Sequence, residues 1–332
     1  MWEPEQAMPD AKATVAVTRR IPAAGLRPLE ERYQVRLFDS DLPPERPKLL
    51  ELLRDADAAL TLLSDIVDYE ILSACSRLKV VANCAVGYEN IDVYAAAKRG
   101  IWVTNTPEVL TDATADLAMT LILCVSRRIV EADRYMRGGK YRAWDPRLLR
   151  GRQLTGKTLG IIGLGRIGRA VAQRAKAFGM EIVYTDPQAH TEAERELGAF
   201  RMGFRELLFA SDVVTLHTPY APELHHLMDA EAFAAMKPTA YFINTARGRL
   251  MDERALLEAL KSGEIAGAGL DVYENEPEFE RELAELDNVV LLPHIGSATH
   301  ETRDAMAELA ARNIIEVLEG RRPPTPVNEP IR

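Results

Sequence analysis

Short apolar, β-rich runs alternate with helix-length stretches along almost the whole chain, and this alternation constrains the fold more than any other feature. The runs fall at residues 14–17, 35–38, 58–62, 79–82 and 101–104. After a long gap they resume at 158–162, 182–185, 213–216, 240–244, 267–271 and 289–292. Strands separated by helices are joined by crossovers, which makes them parallel and builds the chain from βαβ units. Eleven strands exceed one typical sheet. The pattern therefore predicts an α/β protein of two Rossmann- or flavodoxin-like domains, each a doubly wound parallel sheet. A length of 332 residues suits two such domains. The gap is predicted to hold one long helix over 112–136, with Thr111 or Asp112 capping its start. A last helix over 301–319 ends at Gly320 before a Pro-rich tail, as helix termination predicts.

Composition removes several function classes. A 47% hydrophobic chain with 27% charged residues has ordinary globular composition and can build two sizeable cores. A net charge of −9 argues against a nucleic-acid surface or an anionic membrane, while leaving room for a local basic pocket. No segment approaches the ~20 apolar residues of a membrane span, and the longest apolar run, 117–125, reads as a buried helix. The N-terminal stretch MWEPEQAMPDAKAT lacks the basic and apolar regions of a signal peptide and is expected to be a short frayed extension. Cys75, Cys84 and Cys124 are an odd number without CxxC spacing, which suits a reducing compartment; the expected location is the cytoplasm.

The stretch TLGIIGLGRIG carries Gly163, Gly165 and Gly168 as G-x-G-x-x-G, after an apolar strand and at the opening of a helix. Gly163 permits the tight turn, Gly165 lets the backbone approach a pyrophosphate, and Gly168 lets helix and strand pack closely. The helix N-terminus offers N–H groups and a positive dipole end to the phosphates. A second strand leads to Asp186, 18 residues past Gly168. Its carboxylate would bind the adenosine ribose hydroxyls and repel a 2′-phosphate. Pro187, Gln188, Ala189 and His190 follow it without an Arg or Lys, which favours NAD over NADP. Arg166 either approaches the pyrophosphate or is a solvated helix-start residue.

Three polar residues stand at or just beyond strand ends in the second half: Arg247 in NTARGRLMDE, Glu276 in LDVYENEP and His294 in LLPHIGSATHET. Ligands of an open parallel sheet bind beyond the carboxyl ends of its strands, so all three face one crevice. A cation to hold a substrate carboxylate, a histidine to give a proton and a carboxylate to orient it are what carbonyl reduction by hydride needs. Taken singly, Arg247 could be a surface cation, His294 a loop donor and Glu276 a turn residue, with Glu274 a rival carboxylate. Beside a dinucleotide loop the three make a site. The adjacent His225 and His226 lack HExxH or Cys spacing and are expected to be solvated loop residues that cannot readily share one face; no metal is expected.

From about residue 15 to 327 the chain resembles the D-isomer-specific 2-hydroxyacid dehydrogenases. The likeness is carried by CAVGYENIDVYAAAKRGIWVTNTP, LTDATADLAMTLIL, LTGKTLGIIGLGRIGRAVAQRAKAFGM, LHTP, INTARGRLMDERALLEAL, GLDVYENEP and LPHIGSATHETR. It implies Arg247, Glu276 and His294 as a catalytic triad. It implies that Thr114, Leu164, Arg166, Ile167, His217, Thr218, Pro219, Thr245, Ala246, Asp271 and Gly296 join the glycines and Asp186 around NAD, with Asp271 fixing the nicotinamide carboxamide. Leu63, Ser64, Val86, Gly87 and Ser297 would meet the substrate. The resemblance further implies a discontinuous substrate domain, 1–108 with 297–332, an NAD-binding domain, 109–296, and a cleft between them. Pairing of the helix after residue 111 would make a homodimer. Within the family the likeness is to glyoxylate and hydroxypyruvate reductases, through VLTDATADLAMTLIL, PHIGSATHETR and GGKYRAWDPRLLRG. Trp144 in the last stretch matches an aromatic that reaches a neighbouring subunit's active site, or is a packing residue. Several of these relatives use NADPH and carry Arg or Lys after the second strand, unlike Asp186-Pro187 here. A different kind of protein, the NADH-sensing C-terminal-binding-protein corepressors, also resembles the family, but this chain shows no peptide-binding signature.

Overall fold

The computed structural model describes residues 12–331; the stretch 1–11, most of the expected N-terminal extension, lies outside them. The chain divides into two compact units, one running to Val109 and resuming at Thr299, the other Leu110–Ala298.

The first unit holds β1 (Thr14–Val17), β2 (Gln34–Leu37), β3 (Ala58–Thr61), β4 (Val80–Asn83) and β5 (Trp102–Thr104). All pair in parallel in the order β2-β1-β3-β4-β5, which reverses direction beside β1 as in flavodoxin-like sheets. The central strands TVAV, AALT and VVAN are buried along their whole length, because helices cover both faces of a parallel sheet. The chain returns to this unit through the helix His300–Leu318, whose N-cap Thr299 accepts a hydrogen bond from the Thr302 amide at 3.1 Å. That helix packs along the helix Ala23–Arg32.

The second unit holds β6 (Thr158–Ile162), β7 (Glu181–Thr185), β8 (Phe200–Arg201), β9 (Val213–Leu216), β10 (Tyr241–Asn244), β11 (Gly267–Leu270) and β12 (Val289–Leu291). Its parallel order, β12-β11-β10-β9-β6-β7-β8, is that of a Rossmann sheet with its switch point between β6 and β9. One face is filled by a cluster including Leu121, Ile122, Leu159 and Val171, the other by one including Leu207, Phe233, Phe242 and Leu256. Truncating a fully buried member such as Leu121 to Ala would cost about 2–5 kcal/mol.

Every strand predicted from sequence is present, with ends moved by at most one residue. β8 was not predicted; its two residues are both exposed, so it leaves no apolar run. The long helix 112–136 is not continuous. It is two helices, Thr111–Ser126 and Ile129–Arg137, broken where Arg128 takes a left-handed φ of 54°. The Ser126 carbonyl, which an unbroken helix would bond to the Val130 amide, instead accepts from Arg152 N at 2.8 Å. The first helix is buried against the helix Arg166–Ala177 and β10–β12, whereas the second has no buried residue. Neither Thr111 nor Asp112 caps the start: the N-cap is Leu110, without a side-chain bond, and Asp112 favours the helix through its charge in the first turn. No helix among the described residues is long and apolar enough to cross a membrane.

Candidate active site

Because all seven strands of the second unit are parallel, the segments after β6, β7, β9, β10, β11 and β12 leave from one edge of the sheet. The glycine loop follows β6. Gly163 has φ +91°, and a Cβ there would stand 2.8 Å from Thr218 N and 2.9 Å from the His217 carbonyl carbon. A Cβ on Gly168 would lie 2.2 Å from the Gly163 carbonyl oxygen. The loops after β6 and β9 therefore meet at the switch point through bare backbone, and only glycine fits. A Cβ on Gly165, by contrast, meets no protein atom within 4 Å. That open space lies at the N-cap of the helix Arg166–Ala177, where a phosphate is favoured. Leu164 is fully buried in the core and Ile167 packs against it, so both bring backbone rather than side chain to the loop.

The histidine–carboxylate pair expected from sequence lies on the same edge, after β12 and β11. His294, in the loop after β12, has a left-handed φ of 54°. Its Nδ1 lies 2.7 Å from Glu276 Oε2, and Tyr273 N donates to Glu276 Oε1 at 3.0 Å. Burial alone would push the Glu276 carboxyl up. The His294 bond and charge, the Tyr273 amide and the Arg247 charge outweigh it and hold the group below its ordinary value. An ionised Glu276 fixes a His294 proton on Nδ1, which leaves Nε2 as the nitrogen not engaged by Glu276. Arg247 ends the segment after β10; Asn244, at the strand end, donates Nδ2 to its carbonyl at 3.0 Å and accepts the Ala246 amide on Oδ1 at 3.0 Å. The Arg247 guanidinium donates to the Ala246 carbonyl at 2.7 Å.

Asp271, at the end of β11, is 1% exposed. Its Oδ1 accepts the Ile295 amide at 2.7 Å, while Oδ2 is buried without a hydrogen-bond partner. A Cβ built on Gly296 would sit 3.2 Å from that oxygen and 3.6 Å from Thr114 Oγ1, so Thr114, Asp271 and Gly296 converge. Thr245 Oγ1 is buried and unpartnered as well. Orphaned buried oxygens cost stability unless a bound group completes them, and these two suit an amide such as a nicotinamide carboxamide. His217, after β9, is pushed down to about 3 by burial and stays neutral, its Nε2 2.9 Å from Thr215 Oγ1.

Asp186 follows β7. Its carboxylate accepts the Leu164 and Gln188 amides at 3.0 Å each and lies 3.3 Å from His190 Nε2. Burial raises this carboxyl, and the two amides and His190 more than reverse the shift. Cations absent from the segment after Asp186 arrive through space: Arg201 donates to the Asp186 and Pro187 carbonyls, and Arg169 contacts His190 Nδ1 at 2.9 Å. Sequence reasoning missed both, because β8 and a helix turn supply them.

In the first unit, Leu63 and Ser64 follow β3, and Val86 and Gly87 follow β4. Side-chain amides fix both loops: Asn90 Nδ2 donates to the Leu62 and Asp65 carbonyls at 3.1 and 2.8 Å. Asn83 Nδ2 holds Gly87 O and Asn105 Nδ2 holds Val86 O, each at 2.7 Å. Ser64 Oγ accepts from Arg19. Asn90 and Asn105 lie in a stretch that carries the family resemblance, and Asn83 just before it, but none of the three was given a role from sequence. Trp144 is 78% exposed, in the segment following the helix Ile129–Arg137.

One expectation is overturned in the segment after β9. His225 and His226 do share a face, their rings stacked with centroids 3.9 Å apart, because His226 takes φ 53°.

The sequence profile of the D-isomer specific 2-hydroxyacid dehydrogenase NAD binding domain matches residues 119–296. A glyoxylate reductase of Thermococcus litoralis is 51% identical over 324 residues, covering 96% of this chain and 98% of the relative. A crystal structure from Thermus thermophilus superposes with a TM-score of 0.90 at 46% identity, over 95% of this chain and all of that one. An NADPH-dependent glyoxylate/hydroxypyruvate reductase of Sinorhizobium meliloti, solved with NADP and malonate, gives 0.83 at 34% identity, over 97% and 99% of the two chains.

Proposed function

As a chain that belongs to the D-isomer specific 2-hydroxyacid dehydrogenase family, we propose that the protein reduces a small 2-keto acid to its 2-hydroxy acid, glyoxylate first and hydroxypyruvate second, with NADH. The observation that carries this reading is the 2.7 Å pair of His294 Nδ1 with Glu276 on the sheet edge that also bears the glycine loop.

When bound, the reduced nicotinamide dinucleotide supplies the hydride that reduces the keto carbon. His294 Nε2 gives its proton to the keto oxygen, and Glu276 stabilises the cationic imidazole and fixes its orientation. Arg247 binds the substrate carboxylate by charge-assisted hydrogen bonds. Asp271 Oδ2 and Thr245 Oγ1, buried and otherwise unsatisfied, are assigned to the carboxamide end of the nucleotide. Thr114, His217, Thr218, Pro219, Ala246 and Gly296 would surround it. The glycine loop and the N-terminus of the helix Arg166–Ala177 are assigned to the pyrophosphate. The unit Leu110–Ala298 is thus proposed to hold nucleotide, and the other unit, with Leu63, Ser64, Val86 and Gly87, to recognise substrate, joined by Ser297.

Asp186 supports NADH, since its ionised carboxylate would face a 2′-phosphate with like charge. Homodimerisation is proposed through the segment after Ser126 rather than through Thr111–Ser126, whose apolar side is consumed within its own unit. Ile129, Met136 and Trp144 of that segment are 49%, 58% and 78% exposed, which suits a second copy of this chain.

Initial rates of glyoxylate-dependent oxidation of NADH and NADPH, measured in parallel, test the proposal. Turnover that prefers NADH is expected. Preference for NADPH would refute the role given to Asp186 and keep the reaction; no turnover with glyoxylate or hydroxypyruvate would refute the substrate.

A further inference from the structure

Adjacent side chains in a helix or strand diverge, yet His225 and His226 converge. The left-handed φ of 53° at His226, uncommon for a residue with a Cβ, turns its ring onto that of its neighbour. Glu274 reaches the same point from the loop after β11, with Oε1 2.9 Å from His226 Nε2. One ligand atom from each of the three residues lies within 4.8 Å of the other two. Ligands of one tetrahedral ion with bonds of about 2.1 Å stand roughly 3.4 Å apart, so binding would require the two rings to turn out of their stack. Asp252 stands 4.0 Å from the other ring nitrogen of His226, Nδ1. A carboxylate hydrogen-bonded to the far nitrogen is how proteins orient metal-binding imidazoles, and a shift of about 1 Å would bring Asp252 into that role. The Glu274 backbone is fixed in turn, because its N–H donates to the buried carboxylate of Glu253.

Two imidazoles and a carboxylate form a donor set suited to zinc-class ions, with the remaining tetrahedral position open to water. We propose that His225, His226 and Glu274 bind one divalent transition-metal ion, which clamps the segment after β9 to the loop after β11. None of the three belongs to the proton-transfer set, so this site does not rest on the proposed reaction.

The test is equilibrium dialysis of the metal-free chain against Zn²⁺ alone, paired with thermal unfolding. The wild-type chain should take up one Zn²⁺ and unfold at a higher temperature with it. His225→Ala and Glu274→Gln should each weaken uptake more than about 10-fold, and Asp252→Asn by about 10-fold; the first two should also abolish the thermal gain. His294→Ala, which removes the other His–Glu pair, should keep the ion. His225 is exposed, so its Ala variant should fold and, without zinc, retain the basal activity of the wild type. Absence of uptake by the wild type, unchanged uptake by both ligand variants, or loss of the ion in His294→Ala would each overturn the proposal.

Discussion

The loop after β11 presents two glutamates, Glu274 and Glu276, and each engages a histidine held in the left-handed region, His226 at φ 53° and His294 at φ 54°. The two histidine side chains are equally exposed, at 33%. What separates them is which nitrogen is engaged. His294 gives Nδ1 to Glu276, and Nε2 is the nitrogen that the proposed reaction uses. His226 gives Nε2 to Glu274 at 2.9 Å, and its Nδ1 has the Asp252 carboxylate 4.0 Å away, so the nitrogen that is left open at His294 is the one engaged here. The same residue types at nearly the same separation are therefore assigned different work, a proton donor in the proposed reaction and a clamp in the proposed metal site. Chemistry is decided by ring orientation, and ring orientation by backbone.

The sharpest break of this comparison is between the histidines. His294→Ala should lower kcat by about 10²–10⁴-fold while leaving NADH binding nearly intact, whereas His226→Asn, which tolerates positive φ, should leave kcat within a few-fold. Parallel turnover and nucleotide-binding measurements check both; equal losses would erase the distinction.

The next effect lies in the partner carboxylates. Glu276→Gln should lower kcat by roughly 10²-fold, and Glu274→Gln should scarcely change it. Glu276 also gives a pH signature. Its carboxyl is held below the ordinary value, so it contributes stability that is present above the unfolded value and disappears as pH falls through the folded one. Acid unfolding followed by circular dichroism should show a shallower loss of stability for Glu276→Gln than for the wild type over that interval.

A smaller effect sits behind both pairs. Glu253, 6% exposed, accepts the backbone amides of Glu274 and Glu280 and pins the loop. Glu253→Ala would leave those amides unmatched and cost about 1–3 kcal/mol, seen in denaturant unfolding. The smallest concerns the coenzyme: Asp186→Ser should raise kcat/KM with NADPH relative to NADH by about 10-fold, the scale of one charge–charge contact.

The sheets were legible because parallel strands buried on both faces write continuous apolar runs, and the glycine loop because bare backbone approaches at Gly163 and Gly168 admit no side chain. His294, Glu276 and Arg247 were legible as polar residues at strand ends. What sequence did not disclose depends on single dihedral angles and distant partners. The left-handed turn at Arg128 divides a helix whose composition is continuous. The one at His226 stacks two rings expected to diverge. Asn83, Asn90 and Asn105 fix loops by side-chain amides that follow no periodic pattern, and Arg169 and Arg201 reach Asp186 from elements outside its own segment.

The most direct test of the central claim is the glyoxylate-driven loss of nicotinamide absorbance by wild-type and His294→Ala protein under saturating NADH. Rapid oxidation by the wild type, lost by orders of magnitude in a variant that still binds NADH, is the expected result. A variant that keeps its rate would contradict His294 as the proton donor.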